Sequence, residues 1–87
     1  MIANVAELGS WVRAARKRAG LTQAELARKA GVARNSVIAL ERGDGIRAEV
    51  GKVFDVLAAL GVALEPVPYE RMSFREALEK AANVRLP

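Results

Sequence analysis

The chain has 87 residues, 52% of them hydrophobic and 28% charged, with a formal net charge of +4 and neither cysteine nor histidine. That length permits one small core, marginal for an isolated monomer, and the composition excludes disulfides, Cys/His zinc sites and histidine acid–base catalysis. The longest apolar run, Val56 to Leu64, is too short to span a bilayer, and the N-terminal MIANVAELGSWVR lacks a basic-then-apolar leader, so a cytoplasmic protein without metal or cofactor is expected.

Asn4 followed by Glu7 is a helix-capping pattern, and Gly20 is a stop signal, so a first helix is expected from Val5 to Ala19. Leu8, Val12, Ala15 and Ala19 recur at i, i+4, i+7 and i+11 and should face a core, with Trp11 beside them as a half-buried packing residue. Thr22 and Glu25 form a second capping box, which starts helix 2 at Gln23. Leu26, Ala27 and Ala30 give that helix a narrow stripe of mostly small residues. Gly31 suits the left-handed residue that ends such a helix, and Val32 can plug the turn. Helix 3 starts at Ala33 and runs to the second stop, Gly43, with Val37 and Leu40 facing inward and Arg34, Asn35 and Ala39 projecting from another side. Two short helices joined by a tight turn, the second presenting a polar face, have the plan of a DNA-binding helix-turn-helix.

The phrases Gly20-Leu21-Thr22-Gln23 and Glu41-Arg42-Gly43, with Ala27, Gly31 and the aliphatics Leu26, Val37 and Leu40 between them, resemble the Xre family of lambda-repressor-like DNA-binding domains from about Leu8 to Leu64. The resemblance implies a mainly α fold: a five-helix lambda-repressor-like domain followed by a short strand and counting a final helix. Residues 1–61 would be the DNA-binding unit, with its motif at 22–43, and 62–87 a dimerisation or partner-binding tail. It also implies that Arg16 pairs with Glu41, tying helix 1 to the end of helix 3. Gln23, with Thr22, would meet a DNA phosphate at the start of helix 2. Arg34, Asn35, Ser36 and Ala39 would read bases in the major groove, and Arg42 and Arg47 would clamp phosphates from the loop after helix 3. Arginine suits guanine O6 and N7, asparagine suits adenine, and a methyl group suits thymine. Ala33 departs from the family in lacking a capping side chain. Ile38, usually small or polar, either widens the core face or stands exposed as an apolar groove contact.

Charge supports this placement. Between Arg13 and Arg34 stand seven basic residues, Arg13, Arg16, Lys17, Arg18, Arg28, Lys29 and Arg34, against Glu25 alone, whereas from Gly61 onward the charges cancel. A local basic field is what phosphate binding needs, and Arg13 and Lys17 are the further phosphate candidates, a solvated cationic face being their ordinary alternative.

Val50, Val53, Phe54, Leu57 and Leu60 repeat at helical spacing, so helix 4 is expected to centre the core on Phe54. After Gly61 the period shortens. Val62, Leu64 and Val67 suggest a short strand, limited by Pro66 and Pro68, which a lone chain cannot pair; its resemblance to HipB-type antitoxins implies pairing across a homodimer axis, with helix 4 or the C-terminal tail as the alternative interface. Ser73 and Glu76 cap a last amphipathic helix from Phe74 to about Asn83. Two functions follow from the resemblance: a repressor binding double-stranded DNA as a homodimer, or an antitoxin that also neutralises a toxin protein. No convergent nucleophile, base or metal set points to an enzyme.

Overall fold

A computed structural model of the chain describes residues 1–43 and 49–69, with Arg75, Leu78 and Glu79 beyond them. Four helices follow in order: α1 (Val5–Arg18), α2 (Gln23–Ala30), α3 (Arg34–Arg42) and α4 (Val50–Ala59). The first two begin where their capping chemistry places them. The Asn4 side chain accepts from the Glu7 amide at 2.9 Å, and the Glu7 carboxylate accepts in return from the Ala3 amide at 2.8 Å and from Asn4 Nδ2 at 3.0 Å. At α2 the reciprocal box is complete: Thr22 Oγ1 accepts from the Glu25 amide at 3.1 Å, and Glu25 Oε1 from the Thr22 amide at 3.0 Å. Those bonds to Thr22 hold the Glu25 carboxyl below its ordinary pKa, the backbone amide contributing most. Ala33 makes no side-chain cap at α3, as its methyl group requires.

Three helices end in one device. The amides of Leu21, Val32 and Val62 donate back five residues, to the carbonyls of Arg16, Ala27 and Leu57, at 3.0–3.1 Å. This is the Schellman closure, and its accompanying apolar contact is present, because Leu21, Val32 and Val62 all pack on the core. Gly31, inside the two-helix motif, has φ of 71°, a conformation that a Cβ would strain.

The core is Val12 of α1, Leu26 and Ala27 of α2, Val37 and Leu40 of α3, and Val56 and Leu57 of α4. α1 packs chiefly on α3, while α2 lies against both α3 and α4. At the α1–α3 crossing Gly9 is buried, and a Cβ there would run into the Leu40 carbonyl oxygen and stand 3.2 Å from that of Glu41. The two backbones touch. This close approach depends on a glycine in mid-helix.

Two expectations need correction, and two more are not seen in the single chain. Phe54 is not the core centre: it is 49% exposed and Val50 67% exposed, because α4 is rotated to turn Val53, Val56, Leu57 and Leu60 inward. Ala19 is exposed, since it is the C-cap of α1 and the chain has already begun to turn away. No strand forms among the described residues; 62–69 runs without a ladder, Val62 closing the end of α4 and Leu64 and Val67 half exposed. Among the described residues there are four full helices, and the expected final helix falls largely outside them. Arg75, Leu78 and Glu79 are helical, with Arg75 Nε donating to Glu79 Oε1 at 3.3 Å, whereas Ser73, Phe74, Glu76 and Asn83 lie outside the described residues. No helix among the described residues is long and apolar enough to cross a membrane.

Candidate nucleic-acid interface

The site is built outward from one buried ion pair. Arg16 Nε donates to Glu41 Oε2 at 2.7 Å and Nη2 to Glu41 Oε1 at 2.9 Å, a bidentate fork joining α1 to the last turn of α3. The side chains are 10% and 3% exposed, and the third arm, Nη1, donates to the Leu21 carbonyl at 2.9 Å, fastening the turn between α1 and α2. The bonds to Glu41 raise the Arg16 pKa further above neutrality, outweighing the opposing effect of burial. The expected Arg16–Glu41 pair is therefore present.

Gln23 joins it. Its Nε2 donates to Glu41 Oε1 at 3.3 Å, so the residue that opens α2 is held against the pair by its own side chain. The capping box occupies the amides of Thr22 and Glu25, while those of Gln23 and Ala24, by helix geometry, point out of the positive end of α2.

Around this anchor lies a shallow depression lined by Arg13, Arg16, Gln23, Arg34, Ile38, Glu41 and Arg42. A second one, lined by Arg16, Leu21, Thr22, Gln23, Ala24 and Arg34 among others, adjoins it across the start of α2. Four arginines meet one glutamate in the first depression, and the pairing with Arg16 consumes that glutamate's charge, so Arg13, Arg34 and Arg42 leave the surface strongly cationic. Arg34, Ile38 and Arg42 occupy i, i+4 and i+8 of α3 and so form one row along it.

The sequence candidates thus divide by position. Arg13, Thr22, Gln23, Arg34 and Arg42 come together on this face, with Asn35 exposed and Ser36 half-buried in the first turn of α3. Ala39 is partly covered, and Lys17 is exposed on α1, one turn beyond Arg13. Arg47 lies outside the described residues. Val62, Leu64 and Val67, the dimer candidates, stand apart from the cationic face. Leu64 and Val67 border a hollow with Met1, Ile2 and Tyr69. Sequence reasoning left Ile38 unplaced and missed the Gln23–Glu41 bond. The i+4 spacing from Arg34 was the available signal for Ile38; nothing in the spacing signals the bond. Among the described residues no cluster of Asp or Glu has the arrangement of a metal site.

Residues 12–67 match the sequence profile of the helix-turn-helix family. The chain is also similar to a curated protein of Sinorhizobium fredii, an uncharacterized HTH-type transcriptional regulator, y4mF. The two are 42% identical over 60 residues, which cover 69% of this chain and 78% of the relative.

Proposed function

Since this chain belongs to the Xre-like helix-turn-helix family of DNA-binding regulators, we propose that it is a sequence-specific repressor acting as a homodimer on a palindromic operator. The observation that carries the reading is the joining of Arg13, Gln23, Arg34 and Arg42 on one cationic face, with the first turn of α3 at its edge. α3 enters the major groove. Arg34 donates two hydrogen bonds to guanine, Asn35 pairs with adenine, and Ser36 and Ala39 make the lesser base contacts. Arg13, Lys17, Arg42 and Arg47 meet phosphates, and the start of α2 brings Thr22 and the amides of Gln23 and Ala24 to another.

A twofold dimer matches the operator's symmetry and places two copies of α3 about one helical turn of DNA apart, ~34 Å. Val62, Leu64 and Val67 supply its interface in this reading, which the exposure of Leu64 and Val67 supports.

The test is selection of bound sites from randomised DNA, followed by titration of variants. Arg34→Ala should lose discrimination at one base pair per half-site, on the order of 1–3 kcal/mol, while Arg42→Ala weakens binding to all sequences and lowers the salt slope by about 1 for each phosphate it leaves unneutralised. Equal affinity of wild type and Arg34→Ala across every sequence would refute the readout.

A further inference from the structure

An isoleucine ringed by arginines needs a reason. The half-buried apolar side chains packed on the core include Leu8, Trp11, Leu21, Val32, Val53 and Leu60, whereas Ile38 lies in the cationic depression with Arg13, Arg34 and Arg42. It stands one turn after Arg34 and one before Arg42, in the same row of α3. Ile38 is itself half-buried but is not among the side chains packed on the core, and the part of its apolar surface that stays open faces the depression, to be covered by whatever occupies the groove. A duplex in that groove offers a single kind of apolar group at the base edges, the 5-methyl of thymine.

We infer that Ile38 is a specificity-determining residue that packs on a thymine methyl, an inference that rests on the major-groove placement of α3 proposed above. Four helical residues advance about 6 Å, so the thymine lies within about two base pairs of the Arg34 contact. The contact is dry and non-directional. It complements Arg34 by rejecting cytosine and uracil, which lack the methyl group, without making a hydrogen bond.

The experiment uses the full chain and the selected operator, with each thymine replaced in turn by uracil. Wild type should lose about fourfold in affinity per half-site at one thymine near the Arg34 contact, the value for leaving one methyl group unburied, and about fifteenfold when both half-sites are changed. Ile38→Ala should bind the thymine and uracil operators alike, while Ile38→Val keeps part of the preference. A thermal melt shows whether each variant is folded; if Ile38→Ala does not fold, the wild-type uracil scan and Ile38→Val decide. Uracil operators bound as tightly as thymine operators by the wild type would overturn the inference, as would a folded Ile38→Ala that kept the full preference. Failure to select any preferred site would instead overturn the sequence-specific reading on which it rests.

Discussion

Removing the Glu41 carboxylate tests how the cationic face is held. Glu41→Ala deletes both charge-assisted bonds to Arg16 and the weaker one from Gln23, and leaves the guanidinium with the Leu21 carbonyl as its remaining acceptor. Breaking a buried pair from one side costs about 3–5 kcal/mol, because the surviving charge stays desolvated. Arg16 borders two open depressions, so water can reach it after the deletion, which favours the lower end, ~3 kcal/mol. A chain of this length has roughly 4–13 kcal/mol in total, and each kcal/mol moves Tm by about 4–8 °C, so a fall of ~12 °C or more is expected. Thermal unfolding followed by circular dichroism reads this directly. Glu41→Gln, which keeps an oxygen acceptor without the charge, should fall between. Arg16→Met combined with Glu41→Leu should recover much of the loss, since two apolar groups leave no orphaned charge. A Glu41→Ala variant with unchanged Tm and weakened DNA binding would refute the structural role and move Glu41 into the binding surface.

Gly9→Ala gains helix propensity of up to about 1 kcal/mol but drives a methyl into the Leu40 carbonyl. The clash should win, with a net loss of about 1–3 kcal/mol in chemical denaturation; a stabilised variant would show that the crossing is looser than described. Glu25 gives a pH signature. Its folded pKa is lowered, so its contribution is fully present above the ordinary glutamate value of about 4.3 and is lost as pH falls through the lower folded value. Glu25→Gln cannot titrate, so the Tm gap between wild type and variant should shrink from pH 7 to pH 3. A gap independent of pH would remove the capping box from the acid response.

What the sequence made legible was whatever is decided within a few residues. The Thr22–Glu25 box, the Gly31 turn and the starts of α1 and α2 are local chemistry, and they stand where the caps and glycines put them. The Arg16–Glu41 pair crosses 25 positions and was reachable through family resemblance, not through spacing. Phase in α4 was beyond reach by periodicity. Val50, Val53, Phe54 and Leu57 recur at the same intervals as Val53, Val56, Leu57 and Leu60, so a ten-residue helix apolar on most sides offers two stripes, and its neighbours select between them. The 62–69 segment has the composition of a strand, but a ladder requires a second strand and the chain offers none there among the described residues. Ile38 was ambiguous for a related reason: its sequence position fixes its angle on α3, while the adjacent Arg13 comes from a different helix.

Backbone contact at Gly9 separates two properties that usually vary together. Side-chain volumes in the core can drift, gaining or losing a methyl group, and the domain becomes more or less stable. The spacing of α1 and α3 is limited instead by a main-chain stop, which has no rotamers to adjust. Arg13 on one helix and Arg34 on the other are thereby held at a fixed gauge, like two prongs of a plug. The interior is free to diverge through mutation while the spacing of the two helices that carry these arginines keeps its dimension.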